Sequence, residues 1–291
     1  MPKNDTRGFA RFAWFVLAYN IAVILWGAYV RATGSGAGCG NHWPLCDGTV
    51  ALVSANTHKI IEYTHRAMTG LDTPLVLLLV VWAFRAFPRY HPTRRAALLS
   101  GIFLLTEALI GALLVKIQHV AQNADAYTES AHLVNTLMLV ACFTLTAWFA
   151  EGHRPPKLRG RNAWTAAMSL AAVMLLSITG VIAALGDTLF PAKTLAAGIA
   201  QDFDAGSSLL LRLRGLHPVI ALAVAAWLTI YALGRLRSAK APALRVVVLV
   251  WIQLLAGMAN FLLQAPVWMQ IGHLLIADLV WISLVLLCAA P

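Results

Sequence analysis

The sequence predicts an all-α integral membrane protein whose eight transmembrane helices form two tandem, pseudo-symmetric four-helix bundles. Three observations carry that prediction. Of 291 residues, 60% are hydrophobic and only 12% are charged, against roughly 25% charged in an ordinary soluble domain. Apolar stretches of about twenty residues recur along the chain, each long enough at ~1.5 Å per residue to cross a hydrocarbon core of ~30 Å. The basic residues fall in short clusters between those stretches. A net charge of +10 would otherwise suggest a nucleic-acid partner, but clusters at the ends of apolar stretches are topology signals, and nucleic acid is not expected.

The first span, 12–31, follows Lys3, Arg7 and Arg11. A secretion signal would have an apolar core of about 7–15 residues ending at a small-residue cleavage site. This stretch is longer, so a retained helix is expected. The other spans are expected at 64–84, 96–117, 130–149, 164–185, 215–234, 246–265 and 271–289. An even number puts both termini on one side. Arg85, Arg89, Arg94 and Arg95 fill the second loop, Arg154, Lys157, Arg159 and Arg161 the fourth, and Arg235, Arg237, Lys240 and Arg245 the sixth. With the N-terminal three they make 15 of the 22 basic residues. Positive charge stays inside, so the termini are expected in the cytoplasm and loops one, three and five outside. In a bacterial inner membrane that outer side is oxidising.

The special residues repeat. Gly111 in span three matches Gly257 in span seven. His65, at the start of span two, matches His217 at the start of span six, and His132 matches His273 at the starts of spans four and eight. Two four-helix units are expected, 1–150 and 151–291, each bringing two histidines onto facing helices.

Five histidines (His42, His58, His91, His119 and His153) fall in loops or near polar ends and read as solvated surface residues. A single membrane histidine can simply bond a carbonyl on a neighbouring helix. Four in a two-by-two repeat point instead to ligands, because ionisable residues at membrane depth are functional candidates. A neutral imidazole nitrogen suits an axial position on heme iron, and an apolar bundle interior suits a porphyrin face. Arg31, Arg66, Arg212 and Arg214, near the outer helix ends, are placed to pair with propionates.

The halves differ chemically. Glu62 stands before His65 and Glu129 before His132, each at i, i+3 on one helix face. Glu-x-x-His on two helices is also a di-iron signature, and Glu107 in span three could contribute to it, but span one offers no carboxylate. The second half keeps both histidines and has Arg214 and Gln270 where the glutamates were. What repeats is the histidine pair, which favours heme. A carboxylate at Glu62, beside a heme edge and one turn before Arg66, is placed to move protons.

"CGNHWPLC", 39–46, leaves three alternatives for Cys39 and Cys46: a disulfide clip, a redox-active pair, or a zinc or copper site completed by His42 or His58. The oxidising side makes the disulfide the expectation. Cys142 and Cys288, within spans, read as packed core residues.

The stretches "GAYVRATGSGAGCGNHWPLCDG" (27–48), "EYTHRAMTG" (62–70), "ESAHLVNTL" (129–137), "RGLHPVIA" (214–221) and "IGHLLIADLVW" (271–281) together resemble the heme A synthase family over nearly the whole chain. The resemblance implies an eight-span, heme-dependent oxidoreductase that converts a ring methyl of heme O to the formyl group of heme A by successive hydroxylations and loss of water. It further implies a heme b cofactor on His217 and His273, near Arg214. The substrate site then falls on His65 and His132, with Glu62 important and the loop cysteines important where present. Implied partners are heme O as substrate, an unidentified electron donor, and neighbours such as heme O synthase (a farnesyltransferase) and oxidase assembly factors. A homo-oligomer is compatible with the sequence. Some members carry a second cysteine pair in loop five; "FPAKTLAAGIAQDFD" (190–204) has none, so no second disulfide is expected.

Two rivals come from other classes. A non-catalytic di-heme b-type cytochrome carrying electrons from quinol explains four histidines but not the one-sided Glu62, Glu129 and cysteine loop. A transporter lacks a polar pathway, which Asp72 and Asp278 alone do not supply.

Overall fold

A computed structural model describes residues 3–40, 42–49, 56–117, 122–156, 159–204 and 206–290. Among these the chain is helical, with a single isolated bridge between Cys46 and Thr49 and no strand. The helices are α1 (Lys3–Ala32), α2 (Thr57–Ala86), α3 (Pro92–Ile117), α4 (Gln122–Ala150), α5 (Gly160–Leu189), α6 (Leu195–Phe203), α7 (Leu209–Arg214), α8 (Leu216–Gly234), α9 (Lys240–Leu262) and α10 (Val267–Ala289). Eight spans among the described residues are long and apolar enough to cross a membrane. The protein is a multi-pass membrane protein.

The helices overrun the predicted spans. α2 and α4 start seven or eight residues earlier than hydropathy suggests, at Thr57 and Gln122. A 30-residue helix such as α2 is about 45 Å long at ~1.5 Å per residue, so its polar first turns lie beyond the hydrocarbon. Their backbone bonds are satisfied within the helix, and the Asn56 side chain caps α2 by accepting from Lys59 N at 2.8 Å. His65 and His132 therefore lie two to three turns inside their helices rather than at the starts.

The chain divides into two compact units, 1–155 and 156–291. In the first, α1 packs on α2, α2 on α3, α3 on α4, and α4 back on α1. Trp26 donates to Ile61 O at 3.0 Å, Tyr19 to Met68 O at 2.9 Å, and Asn20 to the buried Asp72, fastening α1 to α2. Phe9 packs edge-on against Trp82 and Phe87.

In the second unit the ring runs α5, α8, α9, α10 and back to α5. Trp227 donates to Ser169 at 3.0 Å between α8 and α5, and Arg235 to Ala290 O at 3.0 Å. α7 and α8 together make one span, interrupted at Gly215. The break follows from Pro218, which has no N–H to return to Arg214 O. α6 has no counterpart among the expected elements. It is a nine-residue helix in loop five, capped by Thr194, whose hydroxyl accepts from Ala197 N at 3.2 Å.

Candidate functional site

The four span histidines stand in pairs, one pair in each unit. His65 on α2 and His132 on α4 lie within electrostatic range of each other, as do His217 on α8 and His273 on α10. Each ring lies over a glycine of the preceding span. A Cβ at Gly27 would sit 2.9 Å from His65, at Gly180 3.1 Å from His217, and at Gly257 3.1 Å from His273; at Gly111 it would sit 3.9 Å from His132. Three of these glycines are thus contact points where any side chain would push the imidazole away. Gly111 and Gly257 were visible as a repeated pair in the sequence, but Gly27 and Gly180 were not. Their signal is a glycine near the same end of an apolar span, weak until the facing histidine is known.

Nδ1 of His65, His132 and His273 is buried without a hydrogen-bond partner. His217 Nδ1 lies 2.9 Å from Thr179 Oγ1, and His273 Nε2 lies 3.1 Å from Gln253 Nε2. Among the described residues no three His, Cys, Asp or Glu side chains gather to hold a bare metal ion. Paired imidazoles with buried, unsatisfied nitrogens, held against glycine in an apolar bundle, fit a group that brings its own equatorial ligands, as heme does.

Cys39 and Cys46 form a disulfide. The loop they close is fastened to α2 by Glu62, which is buried at 3% exposure. One Glu62 oxygen accepts from Cys39 N at 2.7 Å. The other accepts from Arg66 at 2.5 and 3.1 Å. Arg66 reaches on to Leu45 O at 2.6 Å and to His42 O. Gly38 permits this approach, since a Cβ there would meet the His58 carbonyl at 2.6 Å. Lys59 donates to Asp47 and holds that carboxyl below its usual range, so the tie persists until pH falls beneath it. Both Glu62 oxygens are therefore engaged in fixing the loop one turn from His65.

Arg214 takes the corresponding place before His217, with other partners. It pairs with Asp187 at 3.0 Å and Asp202 at 2.7 Å and donates to Gly198 O at 3.1 Å. Its guanidinium clamps α6 onto the end of α5. Glu129 is half-buried, one turn before His132 on α4. Glu107, considered above for di-iron, accepts from Asn135 at 2.5 Å and from Thr136.

The remaining histidines have local roles. His58 Nδ1 lies 3.0 Å from Ser35 Oγ, His91 stacks on Phe87, and His153 stacks on Trp148. The backbone carbonyl of His42 takes part in the loop clamp. His119 and Lys157 lie outside the described residues. Cys142 and Cys288 are free and buried.

Fold and site together define a multi-pass membrane protein carrying a histidine pair in each of two helical units. The chain belongs to the COX15-CtaA family, described as "Cytochrome oxidase assembly protein", whose model matches residues 10–285. It is similar to a "Protoheme IX farnesyltransferase" of Thermus thermophilus, 44% identical over 291 residues, covering 97% of this chain and 48% of that protein. It is also similar to "Heme A synthase" of Geobacillus kaustophilus, 42% identical over 102 residues (34% of this chain, 32% of the relative). A third relative is "Heme A synthase" of an Exiguobacterium species, 31% identical over 153 residues (53% of this chain, 50% of the relative). The chain spans about half the length of the first two Thermus relatives it matches.

Proposed function

We propose that this chain is a heme A synthase, oxidising a ring methyl of heme O to a formyl group by two hydroxylations and loss of water. Membership of an oxidase assembly family and likeness to heme A synthases support the pathway. The observation that carries the assignment is an asymmetry. Each unit has a histidine pair against glycine, but only the first has a disulfide loop pinned by a buried Glu62–Arg66 pair beside it.

In this reading His65 and His132 hold substrate heme O, and His217 and His273 hold heme b, whose iron supplies one-electron redox chemistry when bound. Glu62 and Arg66 keep the loop against the substrate end of α2, limiting water there, and Glu62 remains the carboxylate nearest to His65 on that helix for proton movement. Arg214, its charge met by Asp187 and Asp202, fixes α6 at the cofactor end rather than offering a free charge to a propionate. The basic-residue count supports termini in the cytoplasm.

The Thermus relative's name belongs to a protein about twice as long, of which this chain matches one half. That supports a working association with the farnesyltransferase activity that makes heme O.

The test is to express the chain in cells that make heme O, extract the pigments and separate them. Heme A is expected, and is expected to vanish in Glu62→Ala and His65→Ala. Two bound hemes b with no modified heme would show a di-heme cytochrome instead. His217→Ala or His273→Ala is expected to remove the tightly held heme b; its retention would reverse the assignment of the halves.

A further inference from the structure

One half-buried carboxylate in the first unit is held by hydrogen bonds on both of its oxygens. Glu107 on α3 accepts from Asn135 Nδ2 at 2.5 Å through one oxygen and from the Thr136 hydroxyl through the other. Asn135 is itself fixed, accepting from Thr106 at 2.7 Å and donating to Phe103 O at 2.9 Å. The Glu107 oxygen that Thr136 holds lies 3.5 Å from His132 Nδ1. That nitrogen is buried and has no hydrogen-bond partner, so the carboxylate is the acceptor within reach of its proton.

The second unit offers neutral groups instead. A threonine hydroxyl lies against His217 Nδ1 and a glutamine amide against His273 Nε2. Among the described residues, His132 is the one span histidine with a carboxylate at ion-pair distance.

We propose that Glu107 is a positioning residue for the N-terminal heme, an inference that rests on the heme reading above. By accepting from His132 Nδ1–H it directs Nε2 to the iron and makes this imidazole a stronger donor than its three counterparts. A carboxylate behind an axial histidine fixes the tautomer and raises ligand basicity, and removing such a partner typically costs about 10–100-fold in affinity or activity. A stronger donor favours ferric over ferrous iron. The two units thus differ in the charge behind one ligand while sharing the ligand pattern.

The test is a redox titration of the full-length, heme-loaded protein, following the two hemes separately by absorbance and EPR. Glu107→Gln keeps shape and removes charge. It is expected to shift the ferric-to-ferrous balance of the N-terminal heme at least tenfold towards ferrous, a rise of about 59 mV for a one-electron couple. Thr136→Val removes the competing donor on the same Glu107 oxygen and is expected to move that heme the opposite way. The C-terminal heme, unchanged in both, reports that the fold is intact. An N-terminal potential that stays put, or shifts in the same direction in both variants, overturns the proposal. If Glu107→Gln fails to assemble, the direction of the Thr136→Val shift decides. If His65→Ala and His132→Ala leave the wild-type heme spectrum untouched, no heme sits there and the heme reading itself fails.

Discussion

At the scale of single residues, distance decides which glycines matter. A methyl at Gly180 or Gly257 would lie 3.1 Å from an imidazole carbon, and at Gly27 2.9 Å. Overpacking of this kind costs about 1–3 kcal/mol and is relieved by moving a side chain. The side chain that moves is the histidine. Gly180→Ala and Gly257→Ala are expected to weaken heme retention in the C-terminal half, while Gly111→Ala, where the contact is an ordinary 3.9 Å, leaves His132 in place. Absorbance spectra of purified variants check both. Equal loss in all three would mean that the glycines serve helix packing generally. Arg66 is the second case. Its side chain is 10% exposed and that of Glu62 4%, so Arg66→Met leaves a buried carboxylate without its counter-charge. Breaking such a pair costs about 3–5 kcal/mol, to be read as a lowered denaturation midpoint in detergent, with loop one becoming protease-sensitive.

Among the elements, the cysteine loop has two independent fastenings. Closing a loop of this size by a disulfide contributes about 2–3 kcal/mol in the chain-entropy view. The Glu62 and Arg66 bonds to Cys39 N, Leu45 O and His42 O hold it regardless of the sulfur bond. Replacing Cys39 and Cys46 with serine is therefore expected to lower thermal stability while leaving pigment conversion intact. Lost conversion in a protein of unchanged stability would mark the thiols as redox participants. The helices themselves were legible from hydropathy because a membrane span needs only apolar length. Their polar first turns were not, since Thr57–Glu62 and Gln122–Glu129 read as loop to a hydropathy window yet continue as helix. α6 was hidden for a related reason: nine residues of mixed polarity say little until Arg214 is seen to reach Asp202 and Gly198 O. The histidine pairs could be named from the chain alone. The residues behind them, Thr179, Gln253, Glu107 and two of the glycines, depend on which faces of neighbouring helices meet, and no spacing within one helix encodes that.

For the molecule as a whole, the distribution of charge makes an orientation testable. With fifteen basic residues assigned to one side, a cysteine introduced at Arg237 is expected to resist an impermeant maleimide in intact cells, and one at Asp204 to react. The reverse pattern would place the termini outside. Burial is also unevenly shared. α4 is the most buried span of the first unit and α10 of the second, while α3 and α9 turn long rows of large apolar side chains outward. α4 and α10 are also the fourth span of their units to leave the ribosome, and each carries the second histidine of its pair. Assembly is thereby ordered in time: three spans must wait in the lipid with their inner faces uncovered until a fourth arrives, bringing the core and the second histidine of the pair together. Pigment acquired during synthesis would date the completion of each bundle, and a chain stopped after α9 would carry one fewer than the full chain.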